Sequence, residues 1–139
     1  MFRMLDEDSP ISKEDLLQFE EILGKKLPEA MMDFYLKHNG GQPQVRGVHD
    51  EHHLFPFNSF DSLEEMRKSL TWYDDEAVPA GFRATDLLHF AYDPGSGNYA
   101  LSLREEDYGM VYFYVLEETA ELYGQWPSFE VFLNSFVEE

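Results

Sequence analysis

Two changes of hydrophobic period along the chain predict an α+β fold. Apolar residues recur at helical spacing from 12 to 38 and again from 62 to 70, three apolar runs that include strand-like alternation occupy 87–116, and helical spacing returns at 129–137. The expected architecture is an antiparallel-rich sheet, a three-strand meander over 87–116 plus short earlier strands, packed by N-terminal, middle and C-terminal helices. A length of 139 residues suits a single domain, 1–139, with a core over roughly 12–137.

Each element has a local reason. Ser12 suits a helix N-cap because its hydroxyl can accept a bond from an orphan N–H one turn on, and Ile11 with Leu16 can form a hydrophobic staple. Leu16, Phe19, Ile22 and Leu23 then share one face, and Gly24 can take the left-handed conformation that ends the helix. Pro28 suits the first position of a second helix, with Glu29 beside the positive end of its dipole. Met31, Phe34, Tyr35 and His38 keep the spacing, and Asn39-Gly40-Gly41 stops it.

From 44 to 60 the apolar residues Val45, Val48, Leu54, Phe55 and Phe57 are broken by Gly47 and Pro56, a pattern for short or edge strands. Ser62 and Glu65 form a capping-box pair ahead of the stripe Leu63, Met66 and Leu70, so a third helix should end near Thr71. Past Pro79 and Gly81 come the runs 87–92, 98–103 and 110–116. Tyr99, Leu101 and Leu103, then Val111, Phe113 and Val115, suit one sheet face, and hairpin loops at 93–97 and 104–109 join the runs. Phe129, Phe132, Leu133, Phe136 and Val137 match the i, i+3, i+4, i+7, i+8 template of a helix that covers one face of the sheet.

Composition excludes several functions. Twelve Phe, eight Tyr and two Trp supply a core, whereas ten Lys and Arg against 28 Asp and Glu leave a formal charge of -18. Phosphate polymers and anionic membranes would be repelled, so neither nucleic acid nor a membrane is an expected partner. The opening Met1-Phe2-Arg3-Met4-Leu5-Asp6-Glu7-Asp8 turns acidic where a signal peptide would carry a long apolar stretch, which makes the cytoplasm the expected compartment. With no cysteine there is no disulfide, thiolate nucleophile or cysteine-ligated zinc.

The densest group of ligand-type side chains is His49-Asp50-Glu51-His52-His53. Imidazole and carboxylate could take zinc, nickel or copper, with His49, Asp50, His52 and His53 the candidate ligands. An exposed polar loop is the favoured reading, because neighbouring loop residues seldom converge on one ion without a supporting second layer of contacts. Ser96, between Gly95 and Gly97, has a turn's flanks and lacks the G-x-S-x-G setting of a hydrolase nucleophile. No phosphate-binding or dinucleotide motif occurs. No cofactor and no catalytic residue are expected.

Acid is concentrated at 6–8, 74–76, 105–107, 117–118 and 138–139. Singly, such clusters keep a surface solvated; together their field opposes compaction and would steer a basic partner inward. At one place anchor-type aromatics adjoin that charge, in Trp72-Tyr73-Asp74-Asp75-Glu76, the candidate partner-binding segment. The rings could equally close the core.

At Leu27-Pro28, Phe34-Tyr35-Leu36 and Asn39-Gly40-Gly41, with the preceding Phe19-Glu20 and Leu23-Gly24, the sequence resembles the SUKH superfamily of fungal cell-wall-assembly regulators and their bacterial relatives. Phe90-Ala91-Tyr92-Asp93, Gly97-Asn98 and Leu101-Ser102-Leu103 resemble its strand, turn and strand, 109–112 its next strand, and 128–136 its closing helix. The stretches 49–53 and 72–76 have no place on the common pattern.

The resemblance implies an α+β domain that binds and does not catalyse. For bacterial single-domain members it implies an immunity protein that neutralises a polymorphic or contact-dependent toxin, often a nuclease; here the expected partner is a basic toxin domain. The rival readings are a regulatory interaction module acting on a cellular enzyme or scaffold, and a metal-dependent enzyme built on the histidine cluster. The oligomeric state is left open. Because no structural metal is expected, EDTA should leave the melting temperature unchanged, and a large drop would return the histidine cluster to the account.

Overall fold

A computed structural model of the chain describes residues 3–45 and 47–137. Strand β1 (Met4–Leu5) leads into helix α1 (Lys13–Leu23). A capping box opens α1: the Ser12 hydroxyl accepts from the Asp15 N–H at 3.2 Å, and the Asp15 carboxylate accepts from the Ser12 N–H at 2.8 Å. Gly24, at φ 75°, closes it. Leu16 and Phe19 are buried as expected, but Ile22 is 59% exposed. Ile22 lines an open groove between α1 and the third helix, together with Leu63 and Arg67, and that groove is left unfilled among the described residues.

Helix α2 (Glu29–Lys37) starts one position later than the sequence suggests, with Pro28 as its N-cap and the Pro28 carbonyl accepting from the Met31 N–H at 3.0 Å. The irregular stretch resolves into short strands: β2 (Gln42–Pro43), β3 (Gly47–His49), β4 (Leu54–Pro56) and β5 (Ser59–Phe60). Helix α3 (Leu63–Ser69) carries the expected Ser62–Glu65 capping box. The main strands β6 (Leu87–Tyr92), β7 (Gly97–Ser102), β8 (Val111–Leu116) and β9 (Ala120–Trp126) follow, then α4 (Phe129–Leu133) and β10 (Phe136–Val137). All pairing between the named strands is antiparallel, in sheets ordered β1-β2, β10-β3-β4 and β5-β6-β7-β8-β9. The α+β expectation and the antiparallel sheet stand.

Three details differ from the sequence reading. The main sheet gains β9, which hydrophobic alternation does not announce. Phe113 pairs with Gly124 and Tyr114 with Leu122, so Tyr123 is an extra residue and the inward phase flips there, leaving Leu122 and Tyr123 both exposed. Gly124 is required at the bulge, because a Cβ would stand 2.6 Å from the Phe55 ring.

The C-terminal stripe is also divided between two elements. Helix α4 stops at Leu133, the Ser135 hydroxyl donates to the Val131 carbonyl at 2.6 Å, and Phe136 pairs with Val48 as a strand. Pairing with β3 satisfies backbone groups that a frayed last helical turn would leave to water. Phe129 and Phe132 are buried, whereas Leu133 and Phe136 are half-buried.

Thirdly, both faces of the main sheet are covered. On the helical side Leu88, Phe90, Tyr99, Leu101, Val111 and Phe113 join residues of all four helices in one core. Opposite them Leu87, Ala100, Tyr112 and Tyr114 form a second cluster with Val78 and, at its margin, Phe82. The cover there is the connection 70–86, which crosses the sheet as a strap with two short 3-10 turns. Arg104 fastens it, with its guanidinium 3.9 Å from the Phe82 ring centroid, a bond of 3.2 Å to the Gly81 carbonyl, and an ion pair to Asp107 at 2.5 Å. Burial opposes ionisation of Asp107, but donors on Arg104, Ser102 and Tyr112 outweigh it and hold its pKa near 2.

The Phe132 ring lies at the centre of the main core, 5.0 Å from Trp126, 5.5 Å from Tyr99 and 5.6 Å from Phe90. Phe132→Ala should lower the unfolding free energy by roughly 3–5 kcal/mol in chemical denaturation, since the surrounding rings cannot all collapse into the void. Ile22→Ala should stay within about 0.5 kcal/mol. A negligible loss for Phe132→Ala would remove the helix-on-sheet packing from this description.

Candidate functional site

Helix α3 determines where the candidate site lies. Its last turn delivers the chain to the second sheet face, where the Trp72 N–H donates to the Ser69 carbonyl at 3.0 Å. Tyr73 then lies flat on His89 of β6, with centroids 3.7 Å apart and planes 9° from parallel. The edge of the imidazole is held too, since its Nε2 is 2.6 Å from the Tyr114 hydroxyl. Burial lowers the His89 pKa to about 4, which keeps the ring neutral at physiological pH. The Tyr73 hydroxyl donates to the Asn98 Oδ1 at 3.3 Å. Tyr73 is thus part of the fold.

Trp72 is not, with 70% of its surface exposed. Its indole stands on the rim of an open groove of about 460 Å³ between α3 and the β6–β7 hairpin, lined also by Asp61, Glu65, Lys68, Tyr73, Tyr92 and Asn98. Burial, and then the Glu65 carboxylate, raise the Asp61 pKa to about 7. The groove joins an exposed aromatic to a carboxylate that neutral pH leaves only partly ionised.

The acidic part of the expected binding segment is used largely by the strap. Asp74 Oδ1 accepts from the Glu76 and Ala77 N–H groups at 3.1 Å each and caps the first 3-10 turn. Asp75 Oδ1 accepts from the Ala84 N–H at 2.8 Å and ties the two turns together, while the Glu76 side chain is exposed. Asp74 and Asp75 are exposed as well as engaged, so Trp72, Asp74, Asp75 and Glu76 all reach the surface, with Trp72 and Glu76 given no such structural role.

The histidine cluster does not converge. Asp50 Oδ1 accepts from the His52 and His53 N–H groups at 2.9 Å each, a turn-forming role, and Asp50 Oδ2 lies 3.4 Å from the Gln125 N–H. His49 turns its Nδ1 to the Asp50 carbonyl, His52 pairs with Glu51 at 3.8 Å in solvent, and His53 packs against Phe55. Among the described residues no three His, Cys, Asp or Glu side chains are grouped to hold a metal ion. Ser96 is exposed in its hairpin, where Asp93 Oδ1 accepts from the Gly95 and Gly97 N–H groups at 2.9 and 2.7 Å. The acidic pair Glu138 and Glu139 lies outside the described residues.

Sequence reasoning missed Asp61 and His89. Asp61 reads as a loop acid ahead of a capping serine, and His89 as one polar residue inside an apolar strand. The only signal for His89 is that strand position, since a polar side chain there must find a partner.

Residues 10–135 match the family model of the SMI1 / KNR4 family (SUKH-1). The chain belongs to this family. No curated protein matches it. At family level, SUKH-1 membership supports a toxin-immunity or related protein-interaction role. No helix among the described residues is long and apolar enough to cross a membrane.

The residues that carried the SUKH resemblance do structural work in this SUKH-1 chain. Asn39 joins two segments through its carboxamide, and Gly97 is confined between Asp93 and Phe113, where a Cβ would stand 2.5 Å from both side chains. The groove shares Tyr92 and Asn98 with that set, whereas Asp61, Glu65, Lys68, Trp72 and Tyr73 lie outside it.

Two titrations in the groove oppose each other. Asp61 has a folded pKa above its unfolded value, so the stability it contributes is present below about 3.8 and lost as pH rises through 7. His89 has a folded pKa below its unfolded value, so its contribution is present above about 6.5 and lost as pH falls through 4. Asp61→Asn should therefore raise the melting temperature at pH 8 and lose that advantage at pH 4. Equal gains at both pH values would show that Asp61 ionisation is not the cause.

Proposed function

We propose that this single-domain chain is an immunity-type protein that acts in the cytoplasm by stoichiometric binding, neutralising a bacterial toxin domain with a basic surface. The observation that carries the reading is SUKH-1 membership in a chain with 28 acidic and ten basic residues. A formal charge of -18 repels nucleic acid and steers a cationic protein surface inward. Binding, without catalysis, also fits the way the chain uses its loop acids: Asp50, Asp74, Asp75 and Asp93 accept backbone N–H bonds in turns and caps. The binding surface we assign is the exposed Trp72 with the acid around it, Asp74, Asp75 and Glu76 included.

Co-expression with a toxin domain encoded immediately upstream should restore growth to cells that the toxin arrests, and the purified pair should form an equimolar complex. Association should slow steeply as the Debye length shortens from about 30 Å at 0.01 M salt to about 8 Å at 0.15 M. Asp75→Asn with Glu76→Gln should slow association; the asparagine retains an acceptor for the Ala84 N–H. Trp72→Ala should mainly speed dissociation. The control is Glu14→Gln with Glu21→Gln, two exposed positions on α1 at the helical side of the sheet. Equal slowing by both pairs would move the interface away from the strap, and an association rate indifferent to salt would sink the electrostatic reading.

A further inference from the structure

The Trp72 groove has a chemistry more specific than general acidity. Its rim is an indole with 70% of its surface open, and its wall carries the Asp61 carboxylate, which neighbours the Tyr73 phenol closely enough to raise the phenol's pKa, after burial itself. Asp61 is fixed by its backbone, whose N–H donates to the Phe90 carbonyl at 2.7 Å and whose C=O accepts from the Tyr35 hydroxyl at 2.7 Å. The carboxylate is therefore presented from a rigid seat.

A planar cation is the ligand that suits both parts. A guanidinium can stack on an indole face while its N–H fork bonds a carboxylate, and it is less strongly hydrated than an ammonium, so entering a half-buried groove costs it less. Lys68 lines the same groove from α3 and Glu65 stands beside it, so the fixed charges there include one acid and one base besides Asp61.

We infer that the groove between α3 and the β6–β7 hairpin receives an arginine side chain of the partner protein, stacked on Trp72 and paired with Asp61. This deepens the binding reading above by naming the group recognised. Occupancy by a cation favours ionised Asp61, so affinity must rise as pH passes through 7. The other titratable groups facing the groove are Glu65 and Lys68 on α3, Tyr73 on the strap, and His89 and Tyr92 on β6. Burial keeps His89 neutral through that range, and burial followed by Asp61 raises Tyr73 away from it. Asp61 is thus the group to remove.

The test needs no toxin. An acetylated, amidated Gly-Arg-Gly peptide is titrated into the isotope-labelled chain at constant ionic strength, with the citrulline peptide as its neutral counterpart. Saturable shifts are expected at the Trp72 indole N–H and the Asp61 amide, with the buried Trp126 indole as internal reference. Affinity should rise several-fold from pH 6 to pH 8. Trp72→Ala should weaken binding by about three- to tenfold. Asp61→Asn should abolish the rise with pH while its melting curve shows an intact fold.

The inference is overturned if the citrulline peptide binds equally, if shifts spread evenly over the acidic loops, or if both variants bind as the parent does. In each of those cases a toxin complex with salt-dependent association would still stand, because it requires only a basic surface and not this contact. Conversely, arginine binding at Trp72 with no toxin complex would leave the groove assigned and remove the immunity role.

Discussion

The Asn39 carboxamide is the contact on which the placement of the other elements depends. Its Nδ2 donates to the Ser9 carbonyl at 2.7 Å and its Oδ1 accepts from the Leu63 N–H at 2.9 Å, so one buried side chain joins the segment before α1 to the first turn of α3. Two glycines complete the junction. Gly40, at φ 77°, passes so close to α3 that a Cβ would stand 2.7 Å from the Ser62 nitrogen, and Gly41 exchanges backbone bonds with Phe60 at 3.0 and 2.8 Å. Removing the carboxamide would leave the buried Leu63 N–H unpaired, at about 1–3 kcal/mol. The direction of α3 follows from this junction, and the direction of α3 carries Trp72 and Tyr73 to the far face of the sheet.

That far face explains how so aromatic a chain forms two clusters and still leaves an open groove. Phenylalanines, with Tyr35, Tyr99 and Trp126, fill the helical side, where rings around Phe132 meet at tilted and edge-to-face angles. Three other tyrosines serve the opposite side, because Tyr73, Tyr112 and Tyr114 can bury their rings while their hydroxyls bond Asn98, Asp107 and His89. A strap with few apolar residues can therefore cover a sheet face, with polar bonds satisfied beneath it. Its entry point is where cover is incomplete, and there Trp72 is left open.

Electrostatics works at two ranges in this molecule. The net charge of -18 acts over a Debye length and sets which proteins approach. Local contacts decide what each acid does once the chain is folded: Asp15, Asp50, Asp74 and Asp93 accept backbone N–H bonds, and Asp107 holds Arg104. Asp61 differs because burial and Glu65 both disfavour its charge. Its ionisation opposes that of His89 across the same pH interval, so the parent chain's stability would hide both titrations.

What the sequence determined by itself is local and periodic. The helix cap at Ser12, the capping box at Ser62, the glycine stop at Gly24, the strands of the meander and the inward faces of Tyr99, Leu101, Val111 and Phe113 all follow from interactions within a few residues or from a period of two, so they were legible. The -18 charge was legible for the same reason, as a sum over composition. Tertiary structure decided everything that depends on a distant partner. Strand β9 hides behind a bulge and a glycine that make room for Phe55; Phe136 leaves its helical stripe to pair with Val48; and Tyr73 was separated from Trp72 by an imidazole sixteen residues further along the chain. Asp61 gives no sign in one dimension, because its raised pKa comes from burial by segments the local sequence does not contain. A carboxylate's neighbours in space, not its neighbours in the chain, set its solvation, and only the fold supplies them.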